Sequence, residues 1–520
     1  MTSIDDRIMI LDFGSQYTQL IARRIRELGV FTEIRAHDTA LEDIQASGAK
    51  GVILSGGPNS LSSNILEIDR RLLEGRIPVL GVCYGMQLMN HLCGGTVRPL
   101  DKGEYGRHQL RIEHPSPLFV DVESGETVWM SHRDSVEVLA PHFHIIGVSE
   151  DGIPAAIQHD SIPLYGLQFH PEVAHTTRGR QILANFLELC DCQRSWTMEN
   201  YIETLLTEIQ TQVGKRKVIS LVSGGVDSTV ATCLCQQALG SDQVHALYID
   251  TGLMRENETV EVKKMFADQG VTHLQVIHAA DEFLTALSGV SEPETKRRII
   301  GTKFIEIVNR EMERLGLASD DTLFCQGTLY TDLIESGKGC GKQAAVIKTH
   351  HNVNPPIVEA KRAQGLIVEP NREIFKDEVR TLGELLHLPK HMVWRHPFPG
   401  PGLAIRILGA ITPERLCMLR RADTIYLEEI RRAGLYDQIW QAFAVLLPVN
   451  TVGVMGDQRT EGHAVALRAV TSSDGMTADF FDFPHDVMRR ISTRIINEVE
   501  GVNRVTYDVT SKPPGTIEWE

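Results

Sequence analysis

The sequence predicts an α/β protein: two doubly wound domains on mostly parallel sheets, followed by a small α+β domain. Short apolar runs alternate with helical patterns through residues 7–195 and again through 196–395, which is the rhythm of βαβ units. A Pro-Gly cluster at residues 397–402 then marks a linker. The remaining elements do not alternate in this way, so residues 396–520 are interpreted as a separate α+β domain.

The first region can be assigned element by element from its hydrophobic pattern. Predicted strands are residues 7–11, 52–54 and 79–82, and predicted helices are 17–28, 69–73 and 86–92. Residues 109–168 contain more short strands and turns, so we expect antiparallel strands beside the parallel ones. A polar stretch at 190–195 marks the predicted end of this domain.

The hydrophobic pattern also predicts the helices and strands of the rest of the chain. In the second region, predicted helices are 198–213, 229–239 and 303–315, and predicted strands are 217–222, 244–250 and 322–326. In the third region we expect a strand over 403–408, helices near 414–434 and 484–500, and paired strands over 464–470 and 504–509. Ligands of parallel sheets lie beyond the carboxyl ends of the strands, so we look there for binding residues.

Composition limits the class of protein. The net charge of −16 leaves no basic excess to neutralise phosphates, which argues against general nucleic-acid or anionic-membrane binding. No run of eighteen apolar residues and no signal-type N-terminus is present, so we expect no membrane partner and a cytoplasmic location. The nine cysteines follow neither a disulfide framework nor the spacing of a zinc site.

The hexapeptide Ser-Gly-Gly-Val-Asp-Ser at residues 223–228 lies between a predicted strand and a predicted helix. Its two glycines let the backbone approach a ligand closely, and the helix N-terminus that follows favours an anion. The loop is therefore a predicted phosphate site. It lacks the Gly-Lys-Ser/Thr ending with which P-loops bind β- and γ-phosphates.

A cysteine follows the apolar run at 77–82, in the sequence Gly-Val-Cys83-Tyr-Gly85. A nucleophile between small residues at a sharp turn from strand to helix stays clear of its neighbours. The start of the helix also favours the thiolate, which is the reactive form. A cysteine on an apolar strand with no partner is more often simply buried, so the interpretation of Cys83 as a nucleophile depends on a partner.

That partner is predicted at the end of another apolar strand, in His170-Pro171-Glu172. Residues i and i+2 of an extended chain point to one side, so an imidazole and a carboxylate can meet there. We expect His170 to take the thiol proton and return it to the leaving ammonia, with Glu172 holding the ring. The intermediate also needs oxyanion donors. The predicted donors are backbone N–H groups of the loop that contains Gly57 and of Tyr84.

Together these motifs resemble known families. Gly-Val-Cys-Tyr-Gly-Met-Gln, with His-Pro-Glu roughly ninety positions later, resembles the class I glutamine amidotransferases. The hexapeptide resembles the PP-loop of the ATP pyrophosphatases. With the C-terminal sequence Lys-Pro-Pro-Gly-Thr-Ile-Glu-Trp-Glu at residues 512–520, the chain resembles the glutamine-hydrolysing GMP synthase family from about residue 7 to its end. The order and coverage of the motifs carry this resemblance.

The resemblance implies a ligase that aminates xanthosine 5′-monophosphate (XMP) to GMP, the final step of guanine nucleotide synthesis. Glutamine supplies ammonia, and ATP is cleaved to AMP and pyrophosphate through an adenyl-XMP intermediate. Mg²⁺ is expected with ATP, and no organic cofactor is expected. The implied domains are an amidotransferase over 7–195, an ATP pyrophosphatase over 196–395, and a C-terminal domain over 396–520. That last domain is expected to form a homodimer and to close over XMP.

The resemblance also assigns binding residues position by position. Gly57, Tyr84 and Gln87 are expected to bind glutamine and the oxyanion. ATP is expected at Ser223, Gly224, Gly225, Val226, Asp227, Ser228 and Thr229. XMP is expected at Arg297, Lys512, Ile517 and Glu518. A lid over both nucleotides is expected to include Asp332, Glu335, Lys348, Thr349, His350 and His351. No residue is assigned to a metal ion.

Three alternatives to the implied function remain, and the sequence departs from the family's usual residues at two places. The alternatives are an amidotransferase–pyrophosphatase pair with another acceptor, such as an amide-forming ligase; a catalytically silent nucleotide-binding protein; and a stand-alone glutaminase. The C-terminal sequence argues against the first of them.

Arg133 stands where the family commonly has glycine, and it would strain its loop if a positive φ were needed there. Residues 352–356 stand where glycines are usual, and we expect them to stiffen the lid.

Overall fold

The computed structural model describes residues 6–15, 17–61, 65–271, 273–317, 321–329, 361–455, 457–472 and 477–520 of the chain. These residues form two compact units, with the boundary between Thr204 and Leu205. The predicted fold class is confirmed, because large, mostly parallel sheets with helices precede a C-terminal α+β region. The predicted domain boundary near residue 395 stays a prediction.

The first unit is built on one sheet. Its strands are β1 (Arg7–Asp12), β2 (Phe31–Ala36), β3 (Ala49–Leu54), β4 (Val79–Val82), β5 (Thr96–Ile112), β6 (Glu126–Val138), β7 (Phe143–Ser149), β8 (Pro154–His159) and β9 (Leu164–Leu167). Their order is β2-β1-β3-β4-β9-β8-β7-β5-β6. The first five strands in this order are parallel, and the others pair antiparallel, as the short strands and turns of residues 109–168 predict.

Helices surround the parallel part of this sheet. They are α1 (Thr18–Glu27), α2 (Leu41–Ala46), α3 (Tyr84–Leu92) and α4 (Gly179–Leu189), and α5 (Met198–Val213) follows them in the chain. Every residue of β4 and β9 is buried, which explains their continuous apolar sequences. The predicted helix at 69–73 is only a 3₁₀ turn, Arg70–Glu74, because Gly75 ends it in the left-handed region with a φ of 79°.

The second unit contains a fully parallel sheet. Its strands are β10 (Val218–Val222), β11 (Val244–Asp250), β12 (Leu274–His278), β13 (Leu323–Cys325) and β14 (Ile367–Val368), in the order β12-β11-β10-β13-β14. The accompanying helices are α6 (Val226–Leu239), α7 (Glu258–Asp268), α8 (Ala280–Ala286), α9 (Pro293–Arg314), α10 (Lys376–Leu385) and α11 (Lys390–Val393). The central strand β10 leads directly into the glycine loop, so this loop lies at the carboxyl edge of the sheet.

The C-terminal part of the second unit is the α+β region. It contains α12 (Pro413–Arg432), β15 (Gln441–Met455), β16 (Gln458–Thr471), β17 (Asp479–Phe480), α13 (His485–Glu498) and β18 (Val502–Tyr507). Strand β16 pairs antiparallel with β15 and β17 and parallel with β18. One hydrophobic cluster joins buried side chains of the parallel sheet, such as Phe324, with those of α12 and α13, such as Leu419 and Ile491. Among the described residues, no helix combines the length and apolarity needed to cross a membrane.

The predicted strand at 403–408 is wrong. Residues Gly402–Arg406 form a buried 3₁₀ turn that starts at a glycine with a φ of 64°. Its polar backbone groups find partners outside a sheet: the Leu403 N–H donates to the Leu253 carbonyl, and the Ala404 carbonyl accepts from Lys296 Nζ. An apolar run alone does not distinguish a strand from a buried turn.

Candidate functional site

Cys83 occupies a sharp turn between β4 and α3. Its backbone has φ 52° and ψ −108°, a conformation that residues other than glycine rarely adopt. Two hydrogen bonds hold the turn: the Cys83 N–H donates to the Leu167 carbonyl at 2.7 Å, and the Gly85 N–H donates to the Ser55 carbonyl at 3.1 Å. The thiol is therefore presented at the first turn of a helix by a constrained backbone.

The glycines on either side of Cys83 are required by close backbone packing. A Cβ at Gly81 would lie 2.6 Å from the Gly85 carbonyl carbon and the Met86 nitrogen, and one at Gly85 would lie 2.3 Å from the Leu54 carbonyl oxygen. Neither neighbour is a flexible side chain that can move aside. The Gly-x-Cys-x-Gly sequence is therefore a packing requirement of the turn.

We expect Gly85→Ala to destabilise the first unit, because the added methyl group overlaps the backbone of β3. Overpacking of this kind costs about 1–3 kcal/mol, so the Tm of the first unit should fall by roughly 4 °C or more. Differential scanning calorimetry measures this change. Gly301→Ala, in α9 of the second unit, shows the effect of an added methyl group without overlap, because a Cβ at Gly301 meets no atom within 4 Å. An unchanged Tm for Gly85→Ala would contradict the packing argument.

His170 and Glu172 form a buried pair beside Cys83. The Nδ1 atom of His170 lies 2.7 Å from Oε1 of Glu172, and both residues are at least 97% buried. Burial lowers the pKa of His170, but the charge of Glu172 and hydrogen bonds to Cys83 and Glu172 raise it more, so the pKa lies well above its usual 6.5. The Tyr17 ring packs edge-on against the imidazole at 4.8 Å. The structure thus brings the three predicted catalytic side chains together.

A chain of side-chain amides also reaches the thiol. Gln168 Nε2 lies 3.6 Å from Cys83 Sγ, and Gln168 Oε1 accepts a hydrogen bond from Gln87 Nε2 at 3.1 Å. Gln87 donates as well to the Asp134 carbonyl at 2.7 Å. The predicted glutamine-binding residue Gln87 is therefore buried and orients Gln168. Sequence reasoning missed Gln168, although its position two residues before His170 places it on the same side of an extended segment.

The predicted oxyanion residues lie around the same point. Tyr84 is the first residue of α3, where backbone N–H groups have no acceptor within the helix. Its side chain is buried, and its hydroxyl accepts from the Leu66 N–H at 3.2 Å, so only the backbone of Tyr84 can serve the site. The loop that contains Gly57 passes close to the imidazole, since a Cβ at Gly56 would lie 3.4 Å from His170 Cε1.

Arg133 does not strain the backbone, because the positive φ that would make glycine necessary is not adopted there. It lies within β6 as an exposed residue and is absent from the residues with positive φ, so no glycine conformation is needed there. Its neighbours are held from both sides: His132 Nε2 contacts Glu104 Oε2 at 2.9 Å, and Ser60 Oγ donates to Asp134 at 2.5 Å. The segment opposite Cys83 is therefore fixed by buried contacts.

The second candidate site is the loop between β10 and α6. Gly224 has a φ of 75°, and Gly225 precedes the first residue of α6. The Ser223 hydroxyl accepts from the Gly225 N–H at 3.3 Å, while the Ser228 hydroxyl accepts from the Ser223 N–H at 3.3 Å. Because the serines brace the loop, its glycine backbone and the helix N-terminus remain at the carboxyl edge of the parallel sheet.

Asp227 lies in the first turn of α6 and is held from three sides. Lys376 Nζ contacts its two carboxylate oxygens at 2.6 and 2.5 Å, and Asn371 Nδ2 donates to its carbonyl at 2.8 Å. A Cβ at Gly327 would lie 2.7 Å from the Asp227 carbonyl carbon, so only glycine fits there. Among the other predicted ATP residues, Thr229 is buried, with its side chain inside the unit.

Arg395 anchors the loop from the other side. Its Nη1 donates to the Gly224 carbonyl at 3.0 Å, and its Nη2 donates to Glu258 Oε1 at 2.7 Å. Both Arg395 and Glu258 are largely buried. Sequence reasoning assigned no role to Lys376 or Arg395, because nothing in their local sequences indicates which loop they contact.

The C-terminal tail is tied to buried basic residues of the same unit. Glu518 accepts from Arg406 at 2.8 and 3.2 Å, and its Oε1 also accepts from Gln441 at 2.8 Å. Glu520 accepts from Lys296 Nζ through its side chain and from Arg297 Nη2 through its carbonyl oxygen, each at 2.7 Å. The structure therefore brings Arg297 and the end of the tail together.

The other predicted XMP and lid residues are placed as follows. Ile517 is buried, and Lys512 exchanges two backbone hydrogen bonds with Ala478 at 2.7 and 3.0 Å. The predicted lid residues Asp332, Glu335, Lys348, Thr349, His350 and His351 lie outside the described residues, as do residues 352–356. The expectation that residues 352–356 stiffen the lid therefore stays a prediction.

Three family models match successive parts of the chain. The model described as glutamine amidotransferase class-I matches residues 9–190, NAD synthase matches 198–298, and GMP synthase C terminal domain matches 428–519. These segments contain the cysteine turn, the glycine loop and the C-terminal tail, respectively.

Relatives match over the whole length. The chain is 52% identical to the protein named GMP synthase [glutamine-hydrolyzing] of Phenylobacterium zucineum, covering 100% of this chain and 99% of the relative. It is 49% identical to the protein of the same name from Aquifex aeolicus, covering 99% of each chain. The Clostridium perfringens protein of that name is 47% identical, covering 99% of this chain and 100% of the relative.

Proposed function

The chain belongs to the glutamine-hydrolysing GMP synthases, and we propose that Cys83, His170 and Glu172 release its ammonia while the loop at 223–228 holds ATP. The enzyme aminates XMP to GMP, and it cleaves ATP to AMP and pyrophosphate. Identity near 50% over the full length decides against another acceptor, a silent fold and a stand-alone glutaminase. The observation that carries the assignment of residues is the constrained Cys83 turn beside the buried His170–Glu172 pair.

In the first half-reaction, Cys83 Sγ attacks the side-chain amide carbon of glutamine. His170 takes the thiol proton and gives it to the departing nitrogen, so ammonia leaves and a glutamyl thioester remains. Glu172 stabilises the imidazolium that forms in between, because its carboxylate lies 2.7 Å from Nδ1. Water then hydrolyses the thioester to glutamate. The backbone N–H groups of Gly57 and Tyr84 are the proposed donors to the oxyanion.

We expect Glu172→Gln to change both the rate and the pH profile of glutamine hydrolysis. Neutral His170 is the base, and its pKa is raised, so activity is lost as the pH falls through a value above 6.5. Removing the carboxylate charge lowers that pKa, and the acidic limb should move to lower pH. The plateau rate should fall by about 10²–10⁴-fold, because the imidazolium loses its partner. The exposed Glu137→Gln is the control, and an unmoved limb would contradict this role of Glu172.

In the second half-reaction, the O2 atom of XMP attacks the α-phosphorus of ATP, and pyrophosphate leaves. Ammonia then attacks C2 of the adenyl-XMP and displaces AMP. The proposed ATP site is the glycine loop, whose backbone and helix N-terminus suit an anion. If ATP binds as its Mg²⁺ complex, the partly exposed carboxylate of Asp227 would hold the ion, because Mg²⁺ prefers oxygen ligands. The bound ion would offset negative charge on the phosphates. Lys376, now paired with Asp227, is a further cation at this position.

The proposed XMP residues are Arg297, Lys512, Ile517 and Glu518, and the tail that carries three of them ends at Glu520. Lys296 is fully buried and donates to the Ala404 and Ile407 carbonyls as well as to the Glu520 carboxylate. Burial lowers the pKa of Lys296, and the Glu520 carboxylate opposes this. Glu520 therefore neutralises a buried charge and holds the tail in place.

We expect removal of Glu520 to weaken XMP binding. Without its carboxylate, Lys296 is a buried charge without its acidic partner, which is strongly unfavourable, so the tail should detach. The KM for XMP should rise about tenfold or more, with a smaller change in kcat and no change in the rate of glutamine hydrolysis measured alone. Glu520→Asp should restore part of the affinity. An unchanged KM for XMP in the truncated enzyme would show that the tail is held elsewhere.

We also propose a homodimer formed through the C-terminal region. The hairpin of β15 and β16 exposes Val449, Val452 and Val454, whose side chains are apolar and 50–75% accessible. Light scattering should give a mass near twice 58.0 kDa, and a monomer mass at micromolar concentration would contradict the proposal.

We also propose a cytoplasmic location. The described cysteines form no disulfide, which is consistent with it.

XMP-dependent exchange of labelled pyrophosphate into ATP tests the adenylation site separately from glutamine hydrolysis. The wild-type enzyme should catalyse the exchange without glutamine or ammonia, because adenyl-XMP formation is reversible. Exchange that does not require XMP would contradict the proposed order of steps.

A further inference from the structure

A group of charged side chains in the first unit has no part in the proposed mechanism. Glu104 and His108 lie four residues apart on β5, and Asp151 lies in the turn between β7 and β8. One ligand atom from each of the three lies within 4.8 Å of the other two. Strand β5 pairs with β7 at Leu110 and Ser149, which brings the turn beside these side chains.

Glu104 points an unsatisfied atom into this group. The residue is 97% buried, and its Oε2 is used by His132 at 2.9 Å. Its Oε1 is buried and makes no direct hydrogen bond among the described residues, although the Ser149 side chain also interacts with this carboxylate. His108 Nδ1 likewise makes no hydrogen bond there. A buried carboxylate oxygen without a partner is costly, so the arrangement calls for a ligand.

The distances are slightly longer than those between the ligand atoms of a bound metal ion. His108 Nδ1 lies 3.8 Å from Glu104 Oε1 and 3.4 Å from Oε1 of the exposed Glu150. Two ligand atoms of a tetrahedral ion with bonds of about 2.0–2.1 Å are roughly 3.4 Å apart. We propose that Glu104, His108 and Asp151 bind one divalent transition-metal cation of the Zn²⁺ type.

The donor set defines the class of cation. One imidazole with carboxylates suits Zn²⁺ or a similar first-row ion better than Mg²⁺, which prefers oxygen ligands alone. Glu104 and Asp151 place two carboxylates within 4.8 Å of each other, and a divalent cation offsets the repulsion between two such charges. The ion would link β5 to the β7–β8 turn. It would bind Oε1 of Glu104, whose Oε2 contacts His132.

Isothermal titration with ZnCl₂ tests the site in the intact chain after treatment with EDTA and desalting. The titration uses the Cys83→Ala background, which keeps the probe off that thiol. We expect one equivalent to bind with a Kd in the low micromolar range. His108→Ala and Asp151→Asn should each weaken this binding at least tenfold. His144→Ala is the control, because His144 is a surface histidine of the same sheet paired with Asp160 at 2.8 Å.

Either of two outcomes overturns the proposal. One is the lack of saturable binding with a Kd below about 100 μM. The other is equal binding by the parent, His108→Ala and Asp151→Asn, which places the ion elsewhere. Circular dichroism shows whether the variants remain folded, and the exposed Asp151→Asn decides the result if His108→Ala does not fold.

Discussion

Cys83→Ala should abolish glutamine-dependent GMP formation and leave ammonia-dependent GMP formation within about twofold of wild type. The thiol is the proposed nucleophile, and His170 is the proposed base that activates it. Removal of a nucleophile that acts together with its base typically costs about 10³-fold or more. Rates of GMP formation from XMP and Mg-ATP, measured with glutamine and then with ammonium chloride, give both numbers.

The control for this prediction is Cys93→Ala. Cys93 directly follows α3 in the same unit and is half-buried, and burial raises the pKa of its thiol. This variant should keep both activities. Equal loss of the two activities in Cys83→Ala would mean that the cysteine is needed for the whole enzyme. Full glutamine-dependent activity in that variant would exclude Cys83 as the nucleophile.

Asp227→Asn should reduce GMP formation equally with glutamine and with ammonia. The change keeps the shape of the side chain but removes the charge that faces Lys376 and is proposed to bind the Mg²⁺ of Mg-ATP. Loss of one preorganised electrostatic partner of a reacting group typically costs about 10²–10³-fold. Pyrophosphate release, measured with either nitrogen source, should fall by that factor.

Asp242→Asn serves as the comparison, because Asp242 is an exposed acid of the same unit in the turn before β11. It should leave pyrophosphate release unchanged. If Asp227→Asn slowed only the glutamine-dependent reaction, the assignment of the glycine loop to ATP would be wrong. Melting curves of the two variants identify any loss of folding.

The parts that sequence predicted well are those fixed by local geometry. The turn at Cys83 depends on residues 81–85, and the contact between His170 and Glu172 joins residues two positions apart. The glycine loop likewise follows from a strand, two glycines and a helix in succession. Spacing along the chain is enough to describe such features.

The parts that sequence missed depend on distant segments. Lys376 reaches Asp227 across 149 positions, and Arg395 reaches Gly224 across 171. Gln168 meets Cys83 only because β9 pairs with β4. Each contact is set by strand order and packing, which no local pattern shows.

One misreading had a different cause. The apolar run at 403–408 was expected to be a strand, but Gly402–Arg406 is a 3₁₀ turn that bonds to Leu253 and Lys296, and Ile407 and Leu408 make only an isolated bridge to Leu446. Burial explains the apolar residues, and the positive φ of Gly402 explains the turn. At Arg133 the condition for strain is not met. Strand β6 is extended there, so the position needs no glycine.

The central claim is that nitrogen from the Cys83 site replaces an oxygen that ATP has activated on XMP. It is tested most directly with XMP labelled with ¹⁸O at O2 and glutamine labelled with ¹⁵N in the amide. Mass spectrometry should find ¹⁵N in GMP, one ¹⁸O in AMP and none in pyrophosphate. Unlabelled AMP, or ¹⁵N-ammonia released without ¹⁵N in GMP, would contradict the account.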